Sequence, residues 1–188
     1  MRLPAALFLA ALALAGCGRA SQGDAVRKQE EARAAEVAKA TGWDRAFQPD
    51  VAVGAANQFG FRPSAYTAAK QGFASVGGPV TIANSYAKKP STIAFAATGG
   101  AADKVDSIAF DLAINDADSA ELARTRMADL VRDYLFQSKI DAKPVHAAIE
   151  KGAPSKGTLA GTGYAIDATP QHLTVTFTRT GANAPANS

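Results

Sequence analysis

Two histidines are the side chains of this chain best suited to proton transfer or zinc binding. His146 and His172 belong to no His-x-x-x-His or His-Glu-x-x-His pattern, the spacings that place two zinc ligands on one helix face. The single cysteine, Cys17, is distant from both in the sequence. We therefore expect the histidines to be surface residues at the start of a helix or a strand.

Carboxylates are concentrated between residues 103 and 118, where they could hold a calcium ion. Their spacing does not match the ligand positions of an EF-hand loop, and the segment spans a whole predicted strand. We expect these groups to cap and solvate the fold, and we expect no metal site and no cofactor. The residues are Asp103, Asp106, Asp111, Asp116 and Asp118.

Glycine motifs that support catalysis or nucleotide binding are missing from the sequence. It contains neither a Gly-x-Ser-x-Gly turn nor a Gly-rich loop that ends in lysine. The segment from Ala160 to Gly163 lacks the third glycine and the βαβ context of a dinucleotide fingerprint. Gly161 and Gly163 lie in a predicted strand, where they indicate a bulge or a close approach of a helix to the sheet.

The N-terminus has the three parts of an export signal. Arg2 lies beside the free amino group, an apolar run extends from Ala5 to Ala15, and small residues follow it. This run of about 11 residues is shorter than the roughly 17–25 of a membrane-spanning helix and suits a signal-peptide core. We predict that residues 1–16 are a signal peptide.

The four residues Leu14-Ala15-Gly16-Cys17 resemble the lipobox of bacterial lipoproteins. The resemblance implies cleavage between Gly16 and Cys17, a diacylglycerol thioether on Cys17, and acylation of the new amino group. A single acyl chain binds a bilayer only marginally, whereas two or more chains form a stable anchor. Gly18 follows the cysteine in place of the aspartate that marks inner-membrane retention, so the resemblance favours the outer membrane, facing the periplasm.

An ordinary thiol is the alternative interpretation of Cys17. No second cysteine is present in the sequence for an intramolecular disulfide, and an unpaired thiol is unusual in an exported protein.

The formal net charge of the whole chain is +3, and signal cleavage would remove only Arg2 from this balance. Without a basic run, the sequence does not indicate nucleic acid as a partner.

The mature chain divides into a tether, one domain and a tail. Residues 17–40 combine the lipid anchor with a segment of good helix formers and few large apolar residues, which predicts an exposed helical tether. A short partner-binding helix is the sharper alternative. Residues 41–180 form the predicted domain, and residues 181–188 a disordered tail.

The predicted domain begins with one helical turn that docks Trp43 and Phe47 on the core, although Trp43 could instead stack on a ligand. Apolar spacing predicts helices over 63–76, over a long segment that begins at Asp118, and over 144–151. Asp118 and Glu121 form a capping-box pattern at the start of the long helix. Alternation with period two predicts strands over 80–86, 92–97, 107–114, 158–169 and 172–179.

This order of elements indicates an α+β fold of two layers. We expect a mainly antiparallel sheet of about five strands, with helices packed on one face. The threonine-rich face of the last strand is compatible with an exposed sheet edge that a partner strand could extend, although plain solvation is the better explanation.

Three functional classes follow from the sequence. The first is a non-enzymatic envelope lipoprotein whose domain binds a protein or envelope component, in an assembly, accessory or protective role. The second is a small-ligand carrier or sensor with a pocket between the helices and the sheet. The third, and least favoured, is an enzyme that uses His146 or His172 with a nearby acid.

Overall fold

The computed structural model describes residues 22–82 and 89–182 of the chain. The proposed cleavage and lipidation residues, Gly16 and Cys17, lie outside these ranges, as do residues 183–188 of the predicted tail. The chain divides into two compact units, residues 1–38 and residues 39–188.

Helix α1 occupies Gln22–Lys39 and is built from polar helix formers. Arg27 lies 3.5 Å from the Asp24 carboxylate and 3.7 Å from that of Glu31, with all three side chains more than half exposed. Exposed pairs of this kind add only a few tenths of a kcal/mol each, roughly, to a helix. The predicted exposed helix is therefore present, and its role as a tether stays a prediction.

Helix α2 (Gly42–Ala46) is the predicted turn that docks on the core. The Trp43 ring stacks on Phe47 with the ring centroids 5.3 Å apart, and it lies 5.2 Å from the ring of Phe177. Trp43 is 8% exposed and Phe47 is 2% exposed. Burial of two aromatic rings four residues apart fixes the start of the domain.

Helix α3 (Pro49–Gln58) was not predicted, because its buried face consists of small residues. Pro49 is at the first helical position, where its missing N–H costs nothing. The inward residues Ala52, Ala55 and Ala56 recur at helical spacing, but alanine contributes little to an apolar pattern. Tyr134 donates a hydrogen bond from its hydroxyl to the Ala52 carbonyl at 3.3 Å.

The helix predicted over 63–76 is wrong. This segment contains irregular backbone, the two-residue strand β1 (Thr67–Ala68) and the first part of strand β2 (Phe73–Ile82). Gly72 adopts a φ of 81° in the turn between the two strands, a conformation that glycine favours and that a helix excludes. The Ala69 amide donates to the Gly72 carbonyl at 2.8 Å, which closes the turn.

Gly77 and Gly78 directly follow the segment wrongly predicted as a helix, and both lie within β2. A Cβ on Gly77 would lie 2.9 Å from the Phe61 carbonyl oxygen and 2.9 Å from the Pro63 Cα. Glycine is therefore required here for a close approach of two backbone segments. The register of β2 against its neighbour shifts between Gly77 and Val80.

The predicted antiparallel strands follow β2. Strand β3 (Ser91–Gly99) pairs with β2, and strand β4 (Ser107–Ala113) pairs with β3. Residues 83–86, which complete the first predicted strand, lie outside the described part of the chain. Alternate residues are buried as predicted, because only one face of these strands meets the core. The inward side chains are Ile93, Phe95, Ala97, Ile108, Phe110 and Leu112.

Helix α4 (Ala120–Phe136) confirms the long predicted helix and its buried stripe. Its cap differs from the prediction, because a one-turn 3₁₀ helix (Ala117–Ser119) precedes it. The Asp116 side chain accepts a hydrogen bond from the Asp118 amide at 3.2 Å, so Asp116 rather than Asp118 caps this end. Helix α5 (Lys143–Lys151) agrees with the prediction and ends at Gly152, whose φ is 62°.

The long strand predicted over 158–169 is a hairpin of two strands, β5 (Ser155–Leu159) and β6 (Thr162–Ala168). Ala160 and Gly161 form its turn with φ values of 47° and 85°, as a two-residue type I′ turn requires. Gly161 therefore marks a turn, and the prediction of a bulge or helix contact there is wrong. Strand β7 (His172–Thr178) ends the sheet-forming sequence as predicted.

The α+β class and the antiparallel sheet are confirmed, but the described sheet has seven strands, more than the predicted five. Their order is β1-β2-β3-β4-β7-β6-β5. Strand β7 lies between β4 and β6, so the prediction that it could be an exposed edge is wrong; β5 is the edge on that side. Aromatic rings of β3, β4 and α4 meet on the buried face, with the Phe95 and Phe110 centroids 5.6 Å apart.

Candidate functional site

A cleft of about 500 Å³ lies at one end of the sheet, where five segments of the second unit converge. We call it the end cleft. The segments are the start of α2, the β3–β4 loop, the α4–α5 loop, the β5–β6 turn and the residues after β7. The cleft is lined by Trp43 and by five charged residues, which are Asp44, Lys104, Lys139, Asp141 and Arg179.

Hydrogen bonds between these segments hold the walls of the end cleft together. They run from the Gly42 amide to the Ser138 carbonyl at 2.9 Å, from the Trp43 indole N–H to the Leu159 carbonyl at 2.7 Å, and from the Thr180 hydroxyl to the Gly161 carbonyl at 2.9 Å. Each bond joins residues that are distant in the sequence, so the cleft is a product of the tertiary structure and is preformed.

Strained backbone is concentrated at the end cleft. Lys139 and Ala160 both line it and have φ values of 60° and 47°, in the left-handed region that costs a residue with a Cβ about 1–2 kcal/mol. The third such residue in the described part of the chain is Arg62. Ala160 takes this conformation in the type I′ turn between β5 and β6, and Lys139 takes it at the end of α4, where its amide donates to the Phe136 carbonyl at 2.9 Å.

The charged lining of the end cleft is mixed. Lys104 and Lys139 are exposed cations, and Asp44 and Asp141 are exposed carboxylates.

Tyr66 anchors the β3–β4 loop, because its hydroxyl donates to the Lys104 carbonyl at 2.9 Å. Burial of this hydroxyl, together with the nearby Asp106 and Asp103 carboxylates, raises the pKa of Tyr66 to about 12.

Arg179, the third cation of the cleft, is held by the Asp106 carboxylate. Its Nε donates to Asp106 Oδ1 at 3.0 Å, and one terminal nitrogen donates to the same oxygen. The other carboxylate oxygen accepts from the Gly100 amide at 2.8 Å. Burial raises the pKa of Asp106, but the hydrogen bonds from Arg179 and Gly100 outweigh burial, and the net pKa is lowered.

Trp43 forms part of the floor of the end cleft. Its ring is packed between Phe47 and Phe177, and its indole N–H is already bound to a backbone carbonyl. The predicted packing role is therefore confirmed. Its position also places the one tryptophan of the chain beside any ligand in the cleft.

His146 lies between two helices, with a carboxylate near each of its ring nitrogens. Its Nε2 is 3.1 Å from an Asp129 oxygen on α4, and its Nδ1 is 3.3 Å from a Glu150 oxygen on α5. The side chain is 21% exposed, in contrast to the predicted surface position. The hydrogen bond from His146 lowers the pKa of Asp129, and the charge of Arg132 lowers it further.

His172 is exposed at the first residue of β7, as predicted. The five aspartates singled out in the sequence do not form one site. Asp106 pairs with Arg179, Asp111 accepts a hydrogen bond from the Thr174 hydroxyl at 2.6 Å, and Asp116 caps the 3₁₀ helix. Asp103 and Asp118 are exposed.

Residues 22–82 and 89–182 contain no group of three or more His, Cys, Asp or Glu side chains placed to hold a metal ion. The helices within those ranges are too short or too polar to cross a bilayer.

The sequence pattern did not identify the cationic residues of the end cleft. Lys104, Lys139 and Arg179 are single charges at the ends of different elements, and no local motif connects them. The only local signal was position, because Lys104 and Lys139 lie between predicted elements and Arg179 ends the last predicted strand. No protein-family model matches the chain, and comparisons with curated proteins and with solved structures found no match either.

Proposed function

We propose that this chain is a lipid-anchored envelope protein whose α+β domain binds a protein or another envelope component. The observation that carries the proposal is the lipobox-like sequence Leu14-Ala15-Gly16-Cys17 directly after an apolar run. The exposed polar helix α1 supports it, because a helix of 18 residues with little apolar surface suits a spacer between anchor and domain. We propose no catalytic role for the domain.

The lipid anchor is tested by replacing Cys17, whose sulfur would carry the lipid. In a bacterial host, the Cys17→Ser protein is expected to move from the membrane fraction to the soluble fraction, and a clickable fatty acid is expected to label only the parent chain. The matched control is Ser21→Ala, which changes a nearby hydroxyl and leaves Cys17 in place. Equal membrane recovery of the Cys17→Ser and parent chains would reject the anchor.

The choice of membrane is tested at the residue after the cysteine. Gly18→Asp introduces the residue that marks inner-membrane retention in the resemblance, so density-gradient separation is expected to move the protein from the outer to the inner membrane fraction. Gly18→Ser is the matched control and should stay with the parent. An unchanged distribution of the Gly18→Asp protein would contradict the sorting proposal.

The binding role is tested by cross-linking in intact cells, followed by purification of the parent chain. Recovery of a specific partner that the Cys17→Ser chain also binds in vitro would support a domain-based interaction. Recovery of no partner, or of a partner that requires only residues 17–40, would count against it.

A small-ligand carrier is the second candidate, and the end cleft is the observation that favours it. The space between α4 and the sheet, where such a pocket was expected, holds the packed rings of Phe95, Phe110 and Tyr134. The end cleft falls within the roughly 300–1,000 Å³ of small-molecule sites. Native mass spectrometry of the purified protein would reveal a retained ligand, and its absence would weaken this candidate.

A further inference from the structure

The Arg179 guanidinium is oriented before any ligand arrives. Asp106 accepts from its Nε and from one terminal nitrogen, and the Gly100 amide fixes the carboxylate from the other side. A guanidinium has five N–H donors in a planar fork. This ion pair uses the side edge of the plane, so the end edge between the two terminal nitrogens keeps its donors, at a residue that lines the end cleft.

A carboxylate is the group that such an edge recognises best. Two parallel N–H···O bonds from one guanidinium match the two oxygens of a carboxylate, and preorganisation lowers the entropy lost on binding. Lys104 and Lys139 line the same cleft and add two further cations from other segments. The cation set therefore favours an oxyanion.

Asp44 and Asp141 restrict which oxyanion can enter. Both line the end cleft beside the cations, and they repel a multiply charged anion such as phosphate. A ligand that carries an amino group as well as a carboxylate instead pairs with both kinds of side chain, since complementary charges select partners by attraction and by repulsion. The mixed charges thus favour a zwitterion over a simple anion.

Three large apolar side chains lie among the threonine, glycine and alanine residues that form the rest of the cleft lining. Trp43, Phe47 and Ile140 are among the lining residues, and all three are largely buried. Such a base contacts the aliphatic parts of a ligand between its charged ends. We propose that the end cleft binds a short peptide that has a free carboxylate and a free amino group, with Arg179 as the carboxylate anchor.

This ligand class presupposes the binding role proposed above for the domain, but it does not depend on the lipid anchor. Trp43 supplies the readout, because it is the only tryptophan of the chain and lies in the cleft. The probe is tri-alanine with free termini, titrated into the detergent-solubilised parent protein while Trp43 emission is followed. N-acetyl-tri-alanine amide and inorganic phosphate are the comparison probes.

We expect a saturable emission change with tri-alanine and none with the capped peptide. Arg179→Lys keeps the positive charge but loses the two parallel N–H donors of the guanidinium, so the affinity for tri-alanine should fall by about tenfold. The matched control is Arg132→Lys, which alters an exposed guanidinium on α4 and should leave the affinity unchanged. Urea denaturation should show that both variants are folded under the titration conditions, with a lower midpoint for Arg179→Lys because this change weakens the pair with Asp106.

Several outcomes would overturn the assignment. They are a Kd for tri-alanine weaker than about 1 mM, equal binding of the capped peptide, preferential binding of phosphate, and an unchanged affinity in Arg179→Lys. These results would reject the peptide site without affecting the recovery of the parent chain in the membrane fraction. Failure of the anchor proposal would instead be seen in the fractionation of the Cys17→Ser protein, and the titration would not change.

Discussion

The ring of Tyr134 on α4 stands edge-on to the ring of Phe110 on β4, with centroids 5.0 Å apart and planes at 76°. Such geometry places the positive edge of one ring against the negative face of the other. Phe110 also contacts the rings of Phe61 and Phe95 at 6.0 and 5.6 Å. This aromatic group joins the long helix to the middle of the sheet.

Truncation of the Phe110 side chain in this aromatic group should destabilise the domain strongly. Phe110 is fully buried, so Phe110→Ala is expected to lower the free energy of unfolding by about 3–5 kcal/mol, measured by urea denaturation. The matched control is Phe136→Ala on α4, where the ring is 75% exposed and the change should stay within about 0.5 kcal/mol. Similar losses in both variants would contradict the packing described here.

Two glycine-to-alanine changes should have opposite signs. Gly77→Ala pushes a Cβ to within 2.9 Å of backbone atoms of Phe61 and Pro63, so it should destabilise the domain by about 1–3 kcal/mol. Gly54→Ala lies in helix α3 with no atom within 4 Å of the new Cβ, and it should stabilise by about 0.5–1 kcal/mol. Thermal unfolding of both variants tests the pair. A stabilising Gly77→Ala change would argue for a different path of residues 61–78.

The β5–β6 turn can be improved by one substitution. Ala160 adopts a φ of 47° before Gly161, and asparagine tolerates this conformation better than alanine, as the preference for Asn-Gly in type I′ turns shows. Ala160→Asn should therefore stabilise by about 0.5–1 kcal/mol, or roughly 1–4 °C in Tm for a domain of this size. Ala153→Asn, at an exposed site outside the left-handed region, is the control and should leave the Tm nearly unchanged.

The Asp106–Arg179 pair should make stability depend on pH. The folded-state pKa of Asp106 is lowered, so its contribution is complete above the unfolded pKa of about 3.9 and is lost as the pH falls through the folded pKa. Asp106→Asn should cost about 1–2 kcal/mol near pH 7 and less near pH 2.5, which lies below the ordinary aspartate pKa of about 3.9. Urea denaturation at both pH values measures this difference. The exposed Asp167→Asn serves as the control, and an equal cost of Asp106→Asn at both pH values would contradict the prediction.

Elements with a single buried face could be predicted from the sequence. In β4 and β7 every second residue meets the core, and in α4 the buried residues recur at helical spacing. The physical cause is local, because backbone geometry alone decides which residues share a face. The antiparallel arrangement of the strands could also be predicted, since parallel neighbours need a long crossover connection and short turns join antiparallel strands.

Helix 63–76 was predicted wrongly because a similar apolar spacing arises across a hairpin. Tyr66 and Phe73 stack with their centroids 6.0 Å apart from opposite sides of the Gly72 turn. Val76, which completed the apparent stripe, is 61% exposed. Spacing does not report which neighbour a side chain contacts, and the φ of Gly72 was the decisive feature.

The sequence by itself determined the export-signal pattern, the lipobox resemblance of Leu14 to Cys17 and the periodicity of the main helices and strands, because each depends on consecutive residues. Only the tertiary structure decided the strand order, the central position of β7 and the end cleft. Asp44, Lys104, Lys139 and Arg179 come together there through contacts between distant segments. Such contacts depend on the packing of the whole domain, which no local pattern encodes.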